Sequence, residues 1–225
     1  MRATVVLVEG ESDRLALEVA ASRLGRDLDG IVVVPMGGAH AVRRNLARFG
    51  PQGEGLRVAG LCDLGEAEVF RRRLVAAGLG SPDTLDDMEG LGFFVCRADL
   101  EDELIRALGA ASVEAVLESQ GDLGRFRVMQ DQPAWRGRAP EAQLRRFLGS
   151  GARRKARYAG LLAEAAAARD RLPRPIDALL LWLLSGNNVA AQQHRAAGVP
   201  GATPAPCVRG GTPAGSSPPR GAAPR

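Results

Sequence analysis

Acidic residues follow three separate apolar runs of the chain, which is a pattern that could do metal chemistry. The residues concerned are Glu9 and Asp13 after the first run, Asp63 and Glu66 after the second, and Asp99 and Glu101 after the third. Carboxylates gathered in one crevice repel each other and raise each other's pKa values unless cations lie between them. Their hard oxygen atoms suit Mg²⁺ or Mn²⁺, and two such ions can clamp a phosphate group.

Strand-like runs alternate with helical patterns through the first half of the chain, and this order decides where the acids lie. Buried strands are predicted at 3–8, 31–34, 56–61 and 93–96, and helices at 12–24, 40–49, 66–77 and 99–108. Ser12 and Asp99 are the predicted N-caps of the first and last of these helices. The alternation predicts a parallel α/β sheet with right-handed crossovers, in which strand carboxyl ends form the functional crevice.

An ordinary structural interpretation of the acids stays open beside the metal hypothesis. Asp13, Asp99 and Asp102 lie in the first turns of predicted helices, where a negative charge stabilises the helix dipole. Glu9 and Asp63 lie before such turns, so the dipole explains them less well.

The second half of the chain shows helical patterns only, at 113–120, 141–148, 153–169 and 176–184. We therefore predict an α/β domain at 1–108, a helical extension at 109–188 and a disordered tail at 189–225. From residue 191 onward there are seven prolines, four arginines and no acid, so the net charge of +4 belongs to the tail. Because the remainder is neutral, the charge alone does not indicate nucleic-acid binding.

The cysteines and histidines give no sign of a zinc site or of disulfide bonds. Three cysteines and two histidines are scattered without C-x-x-C spacing, and the chain shows no signal peptide. The longest apolar run, 178–184, is too short to span a bilayer. These features predict a cytoplasmic protein without a membrane segment.

Four short motifs together resemble a TOPRIM domain, and most closely the nuclease domain of the OLD (overcoming lysogenization defect) family of bacteria. They are VVLVEGESD at 5–13, PMGG at 35–38, GLCD at 60–63 and DLEDEL at 99–104. The resemblance covers residues 3–108 and extends more loosely to about residue 185. It implies a TOPRIM-like parallel sheet and a metal-dependent endonuclease, with DNA favoured over RNA as substrate.

The resemblance also implies roles for individual residues. Glu9 would be a metal ligand that also acts in proton transfer, while Asp13, Asp63 and Glu101 would be further ligands. The second aspartate of the family's D-x-D is absent because position 65 is glycine, which leaves Glu66 or Glu68 to replace it.

The chain contains a single lysine, Lys155, at a position that resembles the catalytic basic residue of the family. An ammonium group is a compact point charge that suits a phosphate oxygen. The alternative is that Lys155 is one cation of a solvated run with Arg153, Arg154 and Arg157. In either case Arg153 and Arg154 of this run would bind nucleic-acid phosphates. Gly37 and Gly38 either bring backbone amides to a phosphate or form a turn.

Two other functions compete with the nuclease hypothesis. One is a catalytically silent TOPRIM domain that binds nucleic acid or a protein, and the missing aspartate favours it. The other is a receiver-like phosphoacceptor, which Glu9 and Lys155 fit poorly. Since the sequence contains no G-x-x-x-x-G-K-[ST], we expect any ATPase partner to be a separate polypeptide, and a homodimer is a further expectation.

Overall fold

A four-stranded parallel sheet forms the centre of the molecule in a computed structural model that describes the backbone of residues 3–197 and the side chains of residues 3–185. The strands are β1 (Thr4–Val8), β2 (Ile31–Pro35), β3 (Arg57–Asp63) and β4 (Phe93–Cys96). They lie in the order β2-β1-β3-β4. The predicted α/β fold class with a parallel sheet is therefore confirmed.

Helices follow the strands and then continue alone through the second half of the described chain. They are α1 (Glu11–Arg23), α2 (Val42–Phe49), α3 (Ala67–Ala76), α4 (Leu85–Gly90), α5 (Leu100–Leu108), α6 (Ala110–Ser119), α7 (Leu123–Gln130), α8 (Pro140–Leu148), α9 (Ala152–Ala167) and α10 (Arg174–Ala197). Short 3₁₀ turns at Ala39–Ala41 and Leu64–Glu66 precede α2 and α3. Helices α4 and α7 are not among the helices predicted from the sequence. None of the described helices is long and apolar enough to cross a membrane.

Alternate residues of the strands pack on opposite faces of the sheet, and helices cover both faces. Val6 packs in a core with residues of α1, α5, α9 and α10, whereas Val5 packs with residues of α2, α3 and α4. Strands buried on both faces need continuous apolar sequence, which is what β1 has. Residues such as Tyr158 and Leu180 share the core of Val6, so the helical extension buries one face of the sheet.

Two local expectations are corrected near the ends of α1 and β2. Strand β2 is not buried as predicted, because it forms an edge of the sheet and leaves Val32 54% exposed. Ser12 is not the N-cap of α1: Gly10 occupies that position, and Ser12 is buried inside the first turn.

Helix α10 continues to Ala197, beyond the predicted start of the tail at residue 189. The added residues include alanine and glutamine and contain neither glycine nor proline, so they favour helix. The rest of the predicted disordered tail, 198–225, lies outside the described residues.

The order in which the chain adds strands to the sheet reverses between β1 and β3, and the site lies at this point of the sheet. The chain leaves β1 through α1 on one face to reach β2, and then returns through α2 on the other face to β3. In sheets of this kind a crevice opens beyond the carboxyl ends of the two strands that flank such a switch point. Here those ends carry Glu9 and Asp63.

Candidate active site

Glu9 follows β1 directly, and its backbone is held by the turn after β2. The N–H groups of Gly37 and Gly38 donate hydrogen bonds to the carbonyl oxygen of Glu9 at 3.0 and 3.1 Å. Both glycines have positive φ values, 76° and 113°, which other residues adopt at a cost. The two amides are therefore engaged within the protein, as the turn interpretation expects, while the Glu9 side chain is exposed.

Asp13 lies in the first turn of α1 and faces the same region. Its Oδ2 accepts a hydrogen bond from the Gly10 N–H at 2.7 Å, which is the capping role of the dipole interpretation. Burial nevertheless raises the pKa of the Asp13 carboxyl, with the charge of Glu9 adding to the effect and that of Lys155 opposing it. Asp13 thus combines a structural contact with a strained electrostatic position.

Asp63 is the last residue of β3, and its surroundings perturb its ionisation strongly. Burial, followed by the negative charges of Glu9, Asp13 and Asp99, raises the pKa of Asp63 to about 7. These acids follow three different strands, so the carboxyl ends of the strands bring their carboxylates into one region.

Asp99 and Glu101 begin α5 and differ in what holds them. Asp99 is the N-cap, as predicted: its Oδ1 accepts from the Asp102 N–H at 2.8 Å, and its Oδ2 accepts from Arg145 Nε at 2.9 Å. Glu101 is 3% exposed, and its Oε2 lies 3.3 Å from Lys155 Nζ. Its Oε1 is buried without a hydrogen-bond partner among the described residues.

Lys155 lies in the first turn of α9 and points toward the carboxylates rather than joining the neighbouring arginines. Glu101, Asp13 and Asp99 raise its pKa, although its burial acts in the opposite direction and is the largest single influence. Arg153 is exposed, and Arg154 donates to Ser150 Oγ at 2.6 Å. The lysine is therefore separated from the basic run by its ion pair with Glu101.

The structure distinguishes between the two glutamates that could replace the missing aspartate. Glu68 forms ion pairs with Arg71 at 2.7 Å and Arg72 at 3.6 Å on the exposed surface of α3. Glu66 is half-buried at the end of the 3₁₀ turn that follows Asp63, and its charge helps raise the pKa of Cys62. Glu66 is thus the better placed of the two.

The donor atoms of this region suit a hard divalent cation. The carboxylates of this region offer hard oxygen atoms, and the buried Glu101 Oε1 is an acceptor that no described donor satisfies. Within residues 3–185, however, no three His, Cys, Asp or Glu side chains are gathered at the spacing of a finished metal site. The acids lie near one another, and binding of a metal would have to draw them closer.

A cavity of about 720 Å³, which the sequence did not predict, continues from these residues. Asp99, Glu101, Asp102 and Lys155 line one part of it. The remainder is lined by the turn after α7 and by α8, including Trp135, Arg138, Ala139, Glu141, Ala142, Arg145, Arg146 and Gly149. Only the packing of α8 beside α5 brings these distant residues to the site.

Comparisons with known proteins agree with this architecture. The sequence pattern of the family described as "Overcoming lysogenization defect protein-like, TOPRIM domain" matches residues 3–64. The chain is similar to the C-terminal region of the Burkholderia pseudomallei OLD protein, with 25% identity, a TM-score of 0.60, and coverage of 83% of this chain and 98% of that one. None of the curated proteins compared with the sequence matched it.

A second structural match is the C-terminal region of the Xanthomonas campestris pv. campestris OLD protein. It has 24% identity and a TM-score of 0.59, and covers 86% of this chain and 97% of that chain. The fold and its acidic strand ends define a TOPRIM domain. Residues 3–64 match an OLD-like TOPRIM domain and the fold is similar to the C-terminal regions of two OLD proteins, and a domain of this kind indicates a nuclease-type family. A cytoplasmic location, a homodimer and a separate ATPase partner stay predictions from the sequence.

Proposed function

We propose that the protein is a metal-dependent nuclease that hydrolyses phosphodiester bonds in nucleic acid, with DNA as the favoured substrate. The observation that carries this proposal is the meeting of carboxylates from three strand ends with the Lys155–Glu101 ion pair. The match to an OLD-like TOPRIM domain supports the nuclease class. Nucleotidyl transfer would use the same arrangement.

Four carboxylates are the proposed ligands of Mg²⁺ or Mn²⁺, with two ions in the complete site. They are Glu9, Asp13, Asp63 and Glu101, and Glu66 is the proposed replacement for the aspartate absent at position 65. When bound, the ions would lower the pKa of an attacking water and stabilise the leaving oxygen.

The chain's own residues would then position the phosphate and handle the proton. Glu9 is exposed while its backbone carbonyl is fixed by Gly37 and Gly38, so its carboxylate is available to accept a proton. Lys155 Nζ would place a point charge beside a phosphate oxygen and stabilise developing negative charge. Asp99 and Arg145 fix the start of α5, which keeps Glu101 next to Lys155.

The decisive experiment is cleavage of supercoiled and linear DNA in Mg²⁺ or Mn²⁺ by the native protein, Glu9→Ala and Asp63→Ala. Loss of at least about 100-fold in rate is expected for each variant, because even outer-shell partners of a metal contribute about 10- to 100-fold. Glu54→Ala is a matched control, since Glu54 forms an exposed ion pair with Arg48. Equal cleavage by all four proteins would reject the metal-nuclease function.

The second candidate function is a catalytically silent TOPRIM domain that binds nucleic acid or a protein. Glycine at position 65 favours it, together with the lack of a finished metal site within the described side chains. The same assay separates the two: a native protein that binds DNA and Mn²⁺ but never cleaves would support the silent domain.

A further inference from the structure

The cavity beside the carboxylates extends well past the region where a scissile phosphate would lie. Its volume of about 720 Å³ falls within the range of roughly 300–1,000 Å³ that is typical of small-molecule sites. The part away from Lys155 is formed by the turn at 131–139 and by one face of α8. None of the four motifs that resemble the OLD family lies in this part.

Helix α8 presents small and basic residues to the cavity because its opposite face is buried. Leu144, Phe147 and Leu148 pack in the core, while Ala142, Arg145, Arg146 and Gly149 recur at the spacing of one helix face. Ala142 and Gly149 are too small to fill the space, and Arg145 and Arg146 line it. The cavity is therefore a consequence of how α8 packs.

Two arginines of the cavity form no ion pair with a described carboxylate, although Asp102 and Glu141 also line the cavity. Arg138 donates to the backbone carbonyl of Ala134 at 2.8 Å, and neither Arg138 nor Arg146 has an ion pair within the described residues. Arg145 differs, since it is paired with Asp99. Guanidinium groups of this kind bind phosphate oxygens through paired hydrogen bonds.

Trp135 adds an aromatic surface to the cavity, and two hydrogen bonds hold its backbone. The backbone N–H of Trp135 donates to the Gln132 carbonyl at 2.9 Å. The backbone carbonyl of Trp135 accepts from the side-chain amide of the buried Gln143 at 2.7 Å. The indole is half-buried, and the Arg138 guanidinium lies 5.2 Å from its ring centroid. Because this guanidinium lies over one face of the ring, a base would stack on the opposite face or displace the guanidinium toward its phosphate.

Glu141 completes the chemistry of the cavity. It lies in the first turn of α8 and forms no ion pair with any basic residue that the structure describes. A carboxylate accepts hydrogen bonds from the exocyclic amino groups of bases. Aromatic face, guanidinium groups and carboxylate together match a nucleotide better than they match an isolated phosphate.

We propose that this cavity, which we call the Trp135 pocket, binds one unpaired nucleotide of the substrate strand beside the scissile phosphate. The base stacks on Trp135, and its phosphate is bound by Arg138 and Arg146. This inference rests on the proposed nuclease function and deepens it by naming the substrate class: a single strand, or a duplex end that has opened. A fully paired base cannot reach the indole.

The test measures binding separately from cleavage, by fluorescence anisotropy of a labelled single strand of about 12 nucleotides in EDTA and in Ca²⁺. Trp135→Leu should weaken binding by about 10-fold, whereas Trp135→Phe should largely preserve it, because stacking needs an aromatic face. Arg138→Gln should weaken binding and reduce the salt dependence by about 0.7 in its logarithmic slope. Thermal unfolding confirms that each variant is folded.

Arg136→Gln is the matched control for Arg138→Gln. Arg136 lies in the same turn with the same charge, but it donates to the Asp131 carbonyl at 2.8 Å and does not line the pocket. Its variant should bind within about two-fold of the native protein. Equal effects of the two arginine changes, or native-like binding by a folded Trp135→Leu, would overturn the proposal.

Binding to a closed hairpin duplex distinguishes the remaining outcomes. Duplex binding that is weaker and insensitive to Trp135→Leu supports an unpaired nucleotide, and duplex binding that falls equally overturns it. If the native protein never cleaves but Trp135→Leu loses single-strand binding, the proposed role of the Trp135 pocket is supported and the nuclease function is rejected. If the native protein cleaves and Trp135→Leu binds and cleaves like it, the nuclease function is supported and the proposed role of the Trp135 pocket is rejected.

Discussion

Asp63 and Asp122 are both aspartates with restricted exposure, and their surroundings shift their pKa values in opposite directions. Asp122 is 4% exposed, yet its pKa is lowered, first by the hydrogen bond from the Tyr158 hydroxyl at 2.7 Å and then by Arg125. Asp63 is less buried, and burial together with the charge of Glu9 raises its pKa to about 7. The two carboxylates therefore have different neighbours: hydrogen-bond donors surround Asp122, and other acids surround Asp63.

The difference lies in what each carboxylate faces. Asp122 meets donors on several sides and so joins α6 and α7 to the buried face of α9. Asp63 meets other carboxylates, an arrangement that costs folding free energy unless something positive enters from outside. The first region serves the fold, and the second holds an unfavourable arrangement of charge that a ligand would relieve.

The largest expected difference between the two regions is in the cleavage rate when the basic residue of each region, Lys155 or Arg125, is replaced. Lys155→Arg should lower the proposed cleavage rate by about 100-fold, the size typical of losing one preorganised donor, because a planar fork cannot replace the point charge. Arg125→Lys is the matched control at Asp122, where the side chain is 75% exposed. Steady-state cleavage assays with folded proteins test this, and a native rate for Lys155→Arg would contradict it.

Changes in the Asp122 region should lower stability and leave the cleavage rate unchanged, which is the reverse of the effect expected for Lys155. Tyr158 is 1% exposed and donates to Asp122, so Tyr158→Phe leaves a buried acceptor with one donor fewer. We expect a loss of about 1–3 kcal/mol in the free energy of unfolding, measured with urea, and an unchanged cleavage rate per folded molecule. Ser119→Ala, which removes an exposed hydroxyl, should change stability little. A stability loss of equal size in both variants would refute the assigned role.

A smaller effect should separate the two glutamates after β3. Glu66→Gln should lower the cleavage rate by about 10-fold if its carboxylate replaces the missing aspartate. Glu68→Gln should change the rate by about two-fold or less, because Glu68 is paired with Arg71 on the surface and such pairs contribute little. Rates measured across a Mg²⁺ titration would show the loss in metal dependence for Glu66 alone. A larger effect from Glu68 would exchange the two roles.

Local sequence patterns were sufficient to predict the four strands and the acids at their ends. The run at 93–96 matches β4 fully, since a short apolar segment that both faces of a sheet bury has few alternatives. Asp99 as an N-cap follows from equally local chemistry. The edge position of β2 could not be predicted, because strand order depends on crossovers rather than on the composition of β2.

The contacts between distant segments needed the folded structure. Lys155 meets Glu101 only because α9 packs along α1 and beside α5. The cavity beside Trp135 could not be predicted for a similar reason, because it forms where the turn at 131–139 and α8 pack beside α5. Helix α7 was not predicted because its apolar residues do not form a continuous stripe along one side of the helix.

A further predicted effect, on stability rather than on cleavage rate, is the pH dependence that Asp63 introduces. Between its ordinary pKa near 3.8 and the folded value of about 7, Asp63 keeps a proton in the folded state that the unfolded state has released. Stability in EDTA should therefore fall as pH rises through this window, which is opposite in sign to Asp122, whose contribution is lost as pH falls.

Melting temperatures of the native protein and Asp63→Asn, compared at about pH 5 and about pH 8 in EDTA, isolate this contribution. The variant should gain on the native protein as pH rises, because it carries no charge against Glu9 and Asp13. Saturating Mg²⁺ should reverse the order at the higher pH, since metal bound to the folded state alone stabilises the native carboxylate. A difference between the two proteins that stays constant with pH would show that Asp63 does not titrate in this window, and that the contrast with Asp122 is one of packing rather than charge.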